Sequence, residues 1–171
     1  MKILVSACLL GENCKYSGGN NYSEAVMDFL RGNEVIPVCP EVLGGLPIPR
    51  VPAEIVNGVV TNAEGTVVDR QFREGAEKAL KIALEQGVEL AVLQSRSPSC
   101  GGKEIYDGSF SRRKIPGKGI FATGEPAVNG QRQEELLSQF DEIVMELLFF
   151  SIHPSDLTDR IHTLAEGGVL V

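Results

Sequence analysis

The chain carries four cysteines, Cys8, Cys14, Cys39 and Cys100, and their type and spacing frame the chemistry open to it. None stands in a C-x-x-C pair, so neither a zinc ribbon nor a thioredoxin-type redox motif is indicated. In a reducing cytosol such thiols do not form lasting disulfides. They are then buried spectators, reactive thiols, or ligands gathered by the fold. Thiolates select soft metals, chiefly iron–sulfur clusters, zinc and cuprous copper. A cubane held by three cysteines keeps one iron open, and an open iron acts as a Lewis acid toward a sulfur-bearing substrate. Zinc held by three thiolates is the metal alternative.

A second group of residues could bind an anion. Arg50, in PIPRVPAE, carries the planar fork suited to a phosphate or carboxylate, with Arg96 a second candidate. The other use of Arg50 is an ion pair with Glu54 or another loop carboxylate. The backbone amides of GENCKYSGGNN, or of residues 99–102, could form an anion nest. His153, His162 and the SRRK run at 111–114 read as surface residues.

These residues need a frame. Lys2–Ala7, Val35–Cys39 and Val88–Gln94 are short apolar runs bounded by Gly, Pro or polar residues, as expected of strands buried on both faces. A helix capped by Ser23, with Val26, Phe29 and Leu30 on one side, should end at Gly32. The strongest helical signal runs from about Asp69 to Gln86, where Phe72, Ala76, Ala79, Leu80 and Ala83 fall at helical spacing before Gly87. Between them, PEVLGGLPIPRVPAE is too rich in Pro and Gly for regular structure, and Asn57–Val68 reads as a small hairpin. Residues 103–119 read as a hairpin or loop, Gln131–Phe140 as a helix, and Ile143–Phe150 as a strand or buried helix. Alternating strands and helices predict a single α/β domain over 1–150, doubly wound, Rossmann-like and mostly parallel. Residues 151–171 then form a helical tail. Cys8, Cys39 and Cys100 each fall at or just beyond the C-terminal end of a predicted strand, the edge where open α/β sheets bind ligands. One such cysteine reads as a small buried hydrophobe. Three at equivalent positions read as ligands.

Composition narrows the partners. The net charge of −7 argues against a broad duplex nucleic-acid interface, which needs clustered Lys and Arg. The apolar stretch at the N-terminus is short, is interrupted by Cys8 and lacks a convincing cleavage site. No run reaches the length of a membrane span. A cytoplasmic protein is expected. The apolar run IVMELLFF could serve a homo-oligomer contact.

The segments SACLLGENCKYSGG, VCPEVLGGLPIPRVPAE and SRSPSCGG, in that order and spacing, resemble the signatures of the bacterial thiouracil desulfurase family. The likeness runs from Met1 to about Gly119 and includes YDGSF; beyond it the chain is more polar than the family pattern. The resemblance implies a 4Fe–4S cluster held by Cys8, Cys39 and Cys100, with the fourth iron open. It implies that Glu41 moves the proton and that Ser97 or Ser99, with Ser97 preferred, supplies a hydroxyl nearby. Cys14 also matches a family cysteine and is not counted among the ligands. The implied reaction is non-redox removal of sulfur, as hydrosulfide, from a thiolated pyrimidine: 4-thiouracil, its nucleoside or its nucleotide. A zinc or thiol-redox enzyme using the same cysteines, and a non-catalytic sensor of a cluster or nucleotide, are the rival readings.

Overall fold

Strand β1, Lys2–Ser6 (KILVS), is buried from Ile3 onward and lies inside a parallel sheet. The computed structural model describes residues 1–124 and the backbone of residues 149–152. β2 (Glu34–Val38), β5 (Leu90–Gln94) and β8 (Phe149–Ile152) complete the sheet in the spatial order β2-β1-β5-β8, every pair parallel. Successive strand residues face opposite sides. Leu4, Ala91 and Leu93 therefore join one apolar cluster, and Ile3, Val5, Leu90 and Val92 join another across the sheet.

Each cluster is closed by a helix whose pattern was readable. α1 (Glu24–Phe29) starts where the Ser23 side chain accepts the Val26 N–H at 3.3 Å, and it packs Val26 onto the second cluster. α3 (Asp69–Gln86) coincides with the expected helix and lays Phe72, Ala76, Ala79, Leu80 and Ala83 on the first. It stops at Gly87, whose φ of 64° is left-handed and so favours glycine. The mixed α/β class with a parallel sheet is as expected. Among the described residues no helix is long and apolar enough to cross a membrane.

The Pro/Gly-rich segment departs from expectation. It opens with a one-turn helix, α2 (Pro40–Leu43), rather than irregular chain. Pro suits the first helical turn because its missing N–H has no intrahelical partner there. Leu43 N–H reaches Cys39 O at 3.0 Å, and Lys78 Nζ of α3 donates to the free carbonyl of Leu43 at 2.9 Å. Four residues are too few to show periodicity, so only tertiary support reveals the helix. α2 meets α3 backbone to backbone: a Cβ on Gly75 would lie 1.8 Å from Pro40 O, and one on Gly44 would lie 1.9 Å from Gln71 O.

Two antiparallel hairpins complete the described chain. β3 (Ala53–Val56) pairs with β4 (Val59–Asn62), and β6 (Glu104–Tyr106) pairs with β7 (Lys114–Pro116). β8 runs across position 150, so the expected boundary at 150/151 falls within a strand. The expected helix at 131–140, the helical tail beyond 152 with its two histidines, and most of the IVMELLFF run lie outside the described residues.

Candidate metal centre

The sheet delivers the cysteines to one edge. Ser6 of β1 and Val38 of β2 are register partners, so the two strands end level. Cys8 follows β1 in a 3-10 turn (Ala7–Leu10), and Cys39 follows β2 as the residue that precedes α2. β5 pairs on the other side of β1 and leads into the turn holding Cys100. Ser97 shapes that turn. Its Oγ accepts the N–H groups of Ser99 and Cys100, both at 3.0 Å, and Gly101 N–H returns to Ser97 O at 2.9 Å. Gly101 and Gly119 are needed because a Cβ on either would strike backbone atoms within 3 Å.

The thiols form a chain of contacts. Cys14 hydrogen bonds with both Cys39 and Cys8, while Cys100 contacts the Ser6 and Ser97 hydroxyls and feels Cys39 and Glu41 electrostatically. The hydrogen bond from Cys39 lowers the Cys14 thiol, but contact with Cys8 and burial outweigh it and push it up to about 11. Hydrogen bonding to Cys14, then burial, raises Cys39 well above the ordinary thiol range. Burial pushes Cys100 up to about 12. The Cys14, Cys39 and Cys100 thiols therefore stay protonated until a cation replaces their protons. Asn21 Nδ2 lies 3.9 Å from Cys8 Sγ and donates to Gln94 Oε1 at 2.8 Å, which ties the Cys8 loop to the end of β5.

A carboxylate borders this group. Glu41 of α2 sets Oε1 3.5 Å from Ser97 Oγ and accepts at Oε2 from Arg50 Nε at 2.8 Å. Ser99 Oγ is buried and has no hydrogen-bond partner among the described residues. A cavity of 280 Å³ opens on the Cys14–Cys39 side, lined by those two cysteines with Val42, Leu43, Ile48 and Ile82 among others.

The donor set, soft thiols gathered at one sheet edge, fits an iron–sulfur cluster. A cubane takes one thiolate per iron, so its ligands stand around a larger body than a single ion.

Comparison with known proteins agrees with that chemistry. The model of the 2-thiouracil desulfurase family matches residues 3–126. The chain belongs to that family. It is 39% identical over 130 residues to the uncharacterized protein YbbK of Bacillus subtilis (strain 168), covering 70% of this chain and 86% of the relative. Among solved structures it is similar to the [4Fe-4S]-dependent thiouracil desulfidase TudS, with a TM-score of 0.67 and 36% identity, covering 83% of this chain and 99% of that one.

Within this desulfurase-family chain, the structure brings Cys8, Cys39, Cys100, Glu41 and Ser97 to one sheet edge. It also brings Cys14 there, which the sequence reading had set apart from the ligands. Arg50 pairs with Glu41 rather than Glu54, whose Oε2 instead accepts the Phe110 N–H at 3.0 Å. Its guanidinium thus faces Glu41 and loop carbonyls, not an open anion site. Arg96 turns to Glu104 at 2.9 Å. Sequence reasoning missed Ser6, Asn21 and Gln94. Ser6 and Gln94 adjoin the strand ends already marked as functional, so their polar type at otherwise apolar positions was the available signal.

Proposed function

We propose that this chain is a 4Fe–4S-dependent desulfurase that converts a thiolated pyrimidine and water into the oxo pyrimidine and hydrosulfide, with no net redox change. The observation that carries this reading is the convergence of three strand-end cysteines with the Glu41–Ser97 pair on one edge of a parallel sheet. Cys8, Cys39 and Cys100 would hold the cluster. When bound, it supplies a Lewis-acidic iron with affinity for sulfur.

The chain's own groups do the proton work. Glu41 Oε1 takes a proton from the attacking water and later returns one. Ser97, its Oγ already accepting two backbone N–H groups, directs its hydroxyl hydrogen toward Glu41 Oε1 and keeps the attacked face polar. Ser99 is the lesser candidate, since its buried Oγ makes no hydrogen bond among the described residues, whereas Ser97 Oγ reaches Glu41. We read the α/β fold through β8 as one doubly wound domain working in the cytoplasm, with a tail beyond.

The test is anaerobic reconstitution followed by separate incubation with 2-thiouracil, 4-thiouracil and the 4-thio nucleoside and nucleotide. A brown protein with iron and acid-labile sulfide in equal amounts, releasing hydrosulfide and the oxo product, is the expected result. A colourless zinc protein would move the chain to the zinc or thiol-redox reading. A brown protein inert toward every thiopyrimidine would make it a sensor.

A further inference from the structure

The feature not yet used is how Arg50 holds Glu41. Their side chains are only 7% and 15% exposed. Arg50 Nε and Nη2 both reach the same oxygen, Glu41 Oε2, at 2.8 and 2.7 Å. Nη2 also donates to Cys14 O at 3.0 Å, and Nη1 donates to Pro47 O at 3.2 Å. The Arg50 backbone N–H reaches Tyr16 O at 2.7 Å. One guanidinium therefore joins α2, the loop that follows it, and the loop carrying Cys14. The contacts fall on one side of the carboxylate, so Oε1 is left to face Ser97.

We propose that Arg50 is a positioning residue: it pins Glu41 by Oε2 so that Oε1 alone is presented to the reaction, and it does not grip the substrate. This rests on the reading that Glu41 moves the proton. The terminal carboxylate torsion is broad and roughly two-fold, so an unpinned Glu41 would spread over many orientations. A planar fork can satisfy one carboxylate oxygen and two carbonyls at once, whereas a lysine ammonium is a point charge without that geometry. A misplacement of about 1 Å at a reacting group costs about 100-fold in rate.

The experiment compares R50M, R50K, E41Q and R50M/E41Q as anaerobically loaded enzymes, with kcat, KM and iron per chain measured for each. R50M should lower kcat about 100-fold, with KM and iron content at wild-type levels. R50K should recover part of that loss, and R50M should add little to E41Q. In metal-free protein, the double variant should shift the unfolding midpoint no further than the larger single variant does. A raised KM with unchanged kcat would assign Arg50 to substrate and overturn the proposal. So would an R50M loss that persists undiminished in the E41Q background, or a loss of iron that parallels the loss of activity. If R50M fails to fold, R50K carries the same cycle. Full activity in R50M with E41Q inactive sinks only the positioning role, whereas full activity in E41Q sinks the acid–base reading beneath it.

Discussion

Glu41 and Glu104 both meet an arginine, and they sit in opposite surroundings. Glu41 and Arg50 are enclosed between α2, its following loop and the Cys14 loop. Glu104 of the β6–β7 hairpin meets Arg96 at 2.9 Å and Lys114 at 3.1 Å, but its side chain is 37% exposed. Water and salt screen the second group, so it gains little from its geometry. The first group is held where losing one partner strands a buried charge. Similar residue chemistry is thus enclosed in one region, where we propose that it orients the proton-moving carboxylate, and exposed on a hairpin in the other. The difference is burial, which depends on what packs around each pair.

The largest effect should come from the sulfurs beside the enclosed pair. Cys8→Ser, Cys39→Ser and Cys100→Ser should each abolish iron retention and turnover, measured by iron analysis and hydrosulfide release. Cys14→Ser should keep its iron. Next comes the carboxylate: Glu41→Gln should retain colour and iron while kcat falls by about 10² to 10⁴, the usual contribution of general acid–base catalysis. A full rate in that variant would remove the distinction between the two regions.

The third prediction concerns what encloses the pair. Gly75→Ala places a Cβ 1.8 Å from Pro40 O, where backbone cannot yield cheaply. It should cost about 3 kcal/mol or more, the upper end of overpacking effects, read from the denaturant midpoint. The smallest effect is expected at the hairpin. Glu104→Gln should cost less than about 1 kcal/mol at neutral pH and less still in high salt. Lys114 first, then Arg96, holds the Glu104 carboxyl below its ordinary value. Its contribution is therefore present above the unfolded pKa and fades as pH falls through the folded one. A Glu104→Gln loss as large as that of Gly75→Ala would erase the contrast.

The sequence by itself determined what depends on near neighbours. The 18-residue α3 coincides with its apolar periodicity, because helical hydrogen bonds and side-chain faces are set within a few residues. The apolar runs gave β1, β2 and β5, and so the edge that Cys8, Cys39 and Cys100 share. Tertiary structure alone decided the rest. Ser97 lies 56 positions from Glu41, and Arg50 Nη2 meets the carbonyl of Cys14 from 36 positions away. The one-turn α2 exists because α3 lies against Gly44 and because Lys78 closes its end. Contacts at such separations depend on how finished elements pack, which no local pattern encodes. That packing made Arg50 the partner of Glu41 and brought Cys14 among the thiols.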